Sequence, residues 1–283
     1  MELSDPLAAA GQYRLIFADI DGTLVDGSGV MSPRTIVAIR RARSLGRAII
    51  LCTGRSRHAA QRVARELGSD GYGIVLNGAV VLEWHTGAIL RRSLVPAHLI
   101  HGAVDIARGQ GHAAIWLGTE ETDNHQYAER APGLWPEYLE RNGAHIQFVD
   151  DLSALPEPPA SLVAYGREQD AAALARAWRE ALGPEVSAVA GPTAVYRAWY
   201  AQLTAAEATK ESAAAFLAEY LHVPREQTMA IGDHVNDVGL LNWAGLGVCM
   251  GDGDAEARAA ADRLTASLEE DGAALALERL DSD

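Results

Sequence analysis

Among its 283 residues the chain has only two cysteines, and its 24 basic residues are outnumbered by 38 acidic ones. Each scarcity excludes something. Cys52 and Cys249 both sit inside apolar runs, which fits buried reduced thiols, and neither has a partner at metal-ligand spacing. At a formal net charge of −14 the chain lacks the clustered Lys and Arg that a phosphate backbone requires, so no nucleic acid partner is expected. Arg40, Arg41, Arg43 and Arg47 do cluster, and they read as a solvated helix face. No apolar run approaches the length that spans a bilayer, so no membrane partner is expected either. The opening Met1-Glu2-Leu3-Ser4-Asp5-Pro6 is acidic, without the basic start and apolar core of a secretory signal, which predicts a cytoplasmic protein.

What is present is the composition of a globular protein, 48% hydrophobic and 22% charged, in a chain longer than a typical single domain. Leu15 to Ile20 and Ala48 to Cys52 read as strands. Between them lies a helix with Ser32 as N-cap, Pro33 in its first turn and Gly46 just past its end. A helix over Ser56 to Leu67 and a strand over Gly73 to Leu76 follow. Such alternation means a parallel sheet with right-handed crossovers. From about His85 to Pro192 strand-like pieces (Ala113 to Leu117, His145 to Val149, Leu162 to Tyr165) mix with helical ones (Ala97 to Ala107, Gln169 to Leu182). The Pro-rich stretch Leu155 to Pro159 reads as a loop among them.

After about Thr193 the α/β rhythm returns, with helices over Ala206 to Leu221 and near Asn236 to Ala244, and strands over Thr228 to Ile231 and Gly247 to Met250. The expected fold is α/β: a Rossmann-like parallel-sheet core from residues 1–84 and 193–283, with an inserted α+β unit over 85–192.

In such a sheet ligands gather outside the carboxyl ends of the strands, and the polar clusters fall there. Asp19 and Asp21 stand where the first apolar run breaks into a glycine turn. Crowded on one site, two carboxylates make either a hard-cation site or a pair of one nucleophile and one proton-carrying acid. Alone, they read equally as a solvated turn. Thr53-Gly54-Arg55, Asn77-Gly78 and Gly232-Asp233-His234-Val235-Asn236-Asp237 share the same rim. Two acidic clusters with a threonine and a lysine between them form an oxygen-rich site suited to Mg²⁺ and a phosphoryl group.

Asp19-Ile20-Asp21-Gly22-Thr23-Leu24, Thr53-Gly54-Arg55, Lys210, and Gly232-Asp233 through Asn236-Asp237 resemble, in order and approximate spacing, the four motifs of the haloacid dehalogenase superfamily of phosphatases. The insertion after the third strand looks like the cap domain of the Cof-type branch. Asn77-Gly78-Ala79, Gly247-Val248-Cys249-Met250-Gly251, Ala261-Asp262, Leu264-Thr265 and Glu270-Asp271-Gly272 follow that branch too. The likeness runs from about Tyr13 to Leu280 and is weak in the cap.

The resemblance implies an Mg²⁺-dependent phosphatase acting on a small phosphorylated metabolite, a sugar phosphate or related phosphomonoester, through an aspartyl-phosphate. It makes Asp19 the nucleophile and Asp21 the general acid and base, roles that spacing alone does not separate. Asp21 then needs a raised pKa, which a crowded, partly enclosed position supplies. Mg²⁺ falls to the Asp19 carboxylate, the Asp21 backbone carbonyl and Asp233, with Asp237 fixing a bound water. Thr53 and the backbone of Gly54 face the phosphoryl oxygens, and Lys210 balances their charge. In isolation Thr53 also fits a helix N-cap and Lys210 a solvated helix cation. Arg55, Asn77 and Asn236 are candidate substrate contacts that equally suit turns. His234 reads as solvent-facing.

Two departures from the family pattern stand out: Glu211 where glycine is usual, and Asp252 where asparagine is usual. The latter either disfavours a second anionic group on the substrate or accepts from a backbone amide. In the cap, Gly118 to Arg130 carries Glu120, Glu121, Asp123, Asn124, His125 and Tyr127, a loop that either reads sugar hydroxyls or is solvated. Trp116 and Trp135 face a ring or fill the core, and His112 and His145 read as structural. Two other functions fit: a phosphomutase that returns the phosphoryl group to a sugar, and a phospho-aspartate receiver module. Receivers place their phosphorylated Asp on a later strand and have no large cap.

Overall fold

The structure is a computed structural model and describes residues 12–68, 71–118, 126–130, 133–193 and 196–280. The first stretch holds β1 (Leu15–Ala18), α1 (Pro33–Ser44), β2 (Ala48–Cys52), α2 (Arg57–Glu66), β3 (Tyr72–Val75) and β4 (Val80–Glu83). All four residues of β1 are buried, as a parallel strand covered on both faces requires. Both helices start where a serine can satisfy an orphan amide: Ser32 accepts from Thr35 N–H at 3.1 Å and Ser56 from Ala59 N–H at 3.4 Å.

The insertion follows with β5 (Ile89–Arg92), α3 (Ile100–Gly109), β6 (Ile115–Leu117), β7 (Gln126–Glu129), α4 (Pro136–Asn142), β8 (Ile146–Val149), β9 (Ser161–Gly166), α5 (Glu168–Leu182), β10 (Val186–Thr193) and β11 (Ala198–Ala205). The chain then completes the first sheet with α6 (Lys210–Tyr220), β12 (Thr228–Gly232), α7 (Val238–Trp243), β13 (Leu246–Cys249), α8 (Ala255–Ala260), β14 (Arg263–Leu264) and α9 (Gly272–Arg279). The described residues divide into one unit up to Ala88 together with those from Thr209, and a second unit over Ile89–Ala208.

In the first unit the strands run β14-β13-β12-β1-β2-β3-β4, parallel throughout except that β4 turns back antiparallel on β3. The reversal is made by Leu76, Asn77 and Gly78, all at positive φ (51°, 55° and 99°). Only glycine serves at position 78, because a Cβ there would lie 2.1 Å from the carbonyl oxygen of Thr209.

The second unit is a cap with its own mixed sheet, ordered β10-β11-β9-β6-β7-β8 and antiparallel except for the β7–β8 pair. Its core closes around Val104, Ala107, Leu174, Trp178 and Leu203, and the buried Trp178 indole donates to the carbonyl of Ala103 at 2.9 Å. Trp116 belongs to the same core. The boundary expected at 192/193 lies later, because β11 pairs with β10 and β9 instead of rejoining the first sheet. The helix expected from Ala206 also begins later, at Lys210. Thr209 caps it: the Thr209 hydroxyl accepts from Ser212 N–H at 3.0 Å, and Ser212 Oγ accepts from Thr209 N–H at 3.4 Å. Among the described residues no helix is long and apolar enough to cross a membrane.

Candidate active site

β12, β1, β2 and β3 are parallel neighbours, so the residues that follow them meet along one edge of the sheet. Asp19 follows β1 directly; its N–H donates to Ile231 O at 2.9 Å and it is buried. The strand ends at Ala18, so the alternation of faces stops before Asp19 and does not bring Asp21 alongside it. Asp21 lies instead on a tight loop in which the N–H groups of Leu24 and Val25 both donate to Ile20 O at 2.9 Å. Its side chain is 55% exposed and accepts from Arg55 twice, from Nε at 2.8 Å and Nη2 at 2.6 Å. The enclosed position expected for Asp21 is therefore not found. The acids that crowd Asp19 are Asp233 and Asp237, whose carboxylate oxygens and that of Asp19 lie within 4.8 Å of one another.

Lys210 is drawn into this cluster from the first turn of α6. Its ammonium is 2.5 Å from Asp19 Oδ1 and 2.6 Å from Asp237 Oδ1, with 1% of the side chain exposed, so it is no solvated helix cation. Asp237 uses its other oxygen to accept from the N–H groups of Asp233 and His234, both at 3.1 Å, which folds the loop after β12. Thr23 donates to Asp233 Oδ1 at 2.8 Å. Gly22 makes room for this acid, since a Cβ at its φ of 80° would lie 2.3 Å from Asp233 Oδ2.

The acidic cluster is consistent with a divalent metal site. If all three carboxylates are ionised, one ammonium leaves an excess of two negative charges in a largely buried site. Burial, with Asp237, Asp233 and Asp21 adding to it against Lys210, pushes Asp19 well above the usual carboxylate range. Burial and the charge of Asp237 push Asp233 up to about 7, against Thr23 and Lys210. Burial opposes the charge on Lys210, but Asp19 and Asp237 outweigh it and its pKa goes up. An oxygen-only donor set with this charge deficit fits a hard divalent cation.

Around the cluster, Thr53 is buried at the end of β2 and its hydroxyl accepts from Arg55 N–H at 3.1 Å. Ser56, not Thr53, caps α2. Gly54 lies against Asn77, with a hypothetical Cβ only 3.1 Å from Asn77 Oδ1. Asn236 donates to that same oxygen at 2.9 Å, joining the loops after β3 and β12. His234 is 3.3 Å from Asp254, which also accepts from Val235 N–H. The structure thus brings together Asp19, Thr53, Gly54, Asn77, Lys210, Asp233, Asn236 and Asp237, and sets the Arg55–Asp21 pair beside them at the exposed side.

Sequence reasoning missed Thr23 and Asp254 as supports. Thr23 stands inside the first motif, and Asp254 N–H donates to Asp233 O at 2.7 Å from the turn after β13, where only an Asp-Gly-Asp run hinted at it. The two departures resolve simply. Glu211 packs against Gly239 of α7, and Asp252 accepts from the backbone N–H of Leu268 at 3.2 Å. Both cysteines are buried thiols; burial pushes Cys52 up and Cys249 up to about 11. In the cap, Glu120, Glu121, Asp123, Asn124 and His125 lie outside the described residues. His112 is buried against Gly166, and His145 is exposed.

Comparison with known proteins agrees with this geometry. The profile of the haloacid dehalogenase-like hydrolases matches residues 16–277. The chain belongs to the haloacid dehalogenase-like hydrolase family. It is an enzyme of that family's phosphatase group, of the Cof type with a cap. It is 26% identical over 267 residues to the 5-amino-6-(5-phospho-D-ribitylamino)uracil phosphatase YitU of Bacillus subtilis, covering 92% of this chain and 94% of the relative. With the pyridoxal phosphate phosphatase YbhA of Escherichia coli it shares 25% identity over 272 residues, 88% of this chain and 92% of that one. A solved sugar phosphatase of HAD subclass IIB superposes with a TM-score of 0.74 at 23% identity, over 95% of this chain and 99% of that one.

Proposed function

We propose that this HAD hydrolase is a cytoplasmic, Mg²⁺-dependent phosphatase that hydrolyses a small phosphorylated metabolite, a sugar phosphate or related phosphomonoester, through an aspartyl-phosphate. The observation behind it is a buried Asp19 with Oδ1 held by Lys210 and two further carboxylates beside it. The relatives YitU and YbhA, named for a phosphoribityl compound and pyridoxal phosphate, support small phosphomonoesters as the substrate class. Buried free thiols suit a reducing compartment.

Oδ2 of Asp19 attacks the substrate phosphorus while the bond to the leaving oxygen breaks, and Asp21 gives that oxygen its proton. Water then attacks the phosphorus of the aspartyl-phosphate and loses a proton to Asp21. The Asp19–phosphorus bond breaks, releasing inorganic phosphate and restoring both acids. Thr53 and the Gly54 backbone bind phosphoryl oxygens, and Lys210 offsets charge on Asp19 and the transferred group. Asn77 and Asn236 meet the substrate from the opposite loops, and Arg55 orients Asp21. Asp19, Asp233 and the Asp21 backbone carbonyl would hold Mg²⁺, with Asp237 bracing Lys210 and the Asp233 loop. The ion supplies Lewis-acid stabilisation of charge on the phosphoryl oxygens. The cap unit supplies substrate choice.

The test is phosphate release from a panel of sugar phosphates, phosphorylated cofactors, nucleotides and an aryl phosphate, with Mg²⁺ and with chelator. Metal-dependent release that disappears in Asp19→Asn is the expected result. Release indifferent to chelator would remove Mg²⁺ from the scheme, and full activity in Asp19→Asn would remove the nucleophile.

A further inference from the structure

The cap unit has an open surface depression, with a volume of about 360 Å³, at the end of β9 beside Thr193 and Ala198 of the β10–β11 hairpin. Trp135, Trp199, Arg167 and Arg197 are among the residues that line it. None of these residues takes part in the acidic site of the first unit.

Three features mark it. Arg167 and Arg197 are exposed, and no ion pair joins either to an acid among the described residues, as is common for the arginines of this unit. They bring two positive charges to one depression in a chain of net charge −14. Arg197 also sits at a φ of 49°, a left-handed conformation that costs a side-chain-bearing residue about 1–2 kcal/mol. Finally, the Trp135 indole donates to the carbonyl of Tyr196 at 2.9 Å, which ties the ring to the backbone just before Arg197.

Indole rings favour a flat partner, and guanidinium groups pair with carboxylate, sulfonate or phosphate in a planar, two-point fashion. A volume of 360 Å³ is at the small end for ligand cavities and suits one or two fused rings. We propose that this depression is a binding site for an aromatic anion, with Trp135 and Trp199 taking the ring and Arg167 and Arg197 the negative group. The occupant is either the aromatic part of a substrate or a separate small ligand of the same chemistry.

The proposal is tested by calorimetric titration of the full chain with 2-naphthoate, with 2-naphthylmethanol (ring without charge) and cyclohexanecarboxylate (charge without aromatic ring) as comparison probes. Saturable binding of one naphthoate, roughly tenfold or more tighter than either comparison probe, is expected. The double variant Arg167→Ala, Arg197→Gly should weaken it by about tenfold or more. Both side chains are exposed, and glycine at 197 relaxes the backbone, so the melting temperature should hold. No saturable binding, equal affinity for the three probes, or unchanged affinity in the double variant would overturn the proposal. The readout is heat of binding, so it stands or fails separately from the phosphatase reading. Adding naphthoate to the phosphate-release assay then separates the sources: competitive inhibition identifies a substrate moiety as the occupant, and unchanged kinetics at saturation identifies a separate ligand.

Discussion

The Lys210 ammonium stands 2.5 Å from Asp19 Oδ1, and the two side chains are 1% and 8% exposed. Removing one partner of a buried ion pair leaves the other charge unpaired in a poor solvent. Lys210→Ala should therefore lose about 3–5 kcal/mol of stability in denaturant unfolding. Turnover should fall by about a hundredfold or more, because charge developing on the phosphoryl group loses its counter-ion. Lys210→Arg should not restore it, since a planar fork does not replace a point charge between two acids.

Asp233 titrates near 7 in the folded chain, against an ordinary value of 3.8. Between those values the folded state binds more protons than the unfolded state, so this group's contribution is present at low pH and lost as pH rises through 7. In chelator, the melting temperature relative to that of Asp233→Asn should fall from pH 4 to pH 7. Mg²⁺ needs the deprotonated acid, so it should stabilise the protein more at pH 7.5 than at pH 5. A shift independent of pH would contradict the placement of the cation among these carboxylates.

Arg55 grips Asp21 with two parallel hydrogen bonds of 2.8 and 2.6 Å. If that grip aims the acid, Arg55→Lys, which keeps the charge and loses the fork, should lower kcat by about tenfold while leaving the melting temperature within a degree or two. Steady-state kinetics across pH would check it: an unchanged kcat in Arg55→Lys would reduce the pair to a surface ion pair.

The turn of Leu76, Asn77 and Gly78 presses its glycine against the Thr209 carbonyl, one residue before Lys210. Gly78→Ala adds a clash and a left-handed alanine. The expected loss is about 2 kcal/mol or more, read from chemical denaturation. It should also lower kcat in the fraction that folds, because the start of α6 must shift to make room. A variant that loses stability but keeps kcat would show that the turn supports the fold alone.

How far the sequence could be read varies along the chain. β2 lay where the apolar run from Ala48 to Cys52 put it, and Ser32 and Gly46 marked the ends of α1 through local chemistry, whereas the cap of the next helix is Ser56 and not Thr53. From sequence no strand is expected over 198–205, and those residues go with the first unit; the pairing of β11 with β10 and β9 is what assigns them to the cap sheet. The start of α6 was misjudged because the alanines at 205, 206 and 208 favour helix, whereas the Thr209–Ser212 capping box sets the boundary. Motif order pointed to Asp19, Asp233 and Asp237, which the fold does bring together, but it also put the Asp21 carboxylate among them, where it is not. That geometry was not legible, since one residue of strand length decides whether Asp21 turns inward to Asp19 or outward to Arg55.

The residues around Asp19 come from segments as far apart as positions 19 and 237, and residues 89–208 fold elsewhere in between. A nascent chain that has not yet extended past Lys210 holds the proposed nucleophile without its counter-charge. Closing so long a loop is slow, and its ends meet only when the last strands dock. During synthesis, the cluster around Asp19 can assemble only after the chain has been made through Asp237.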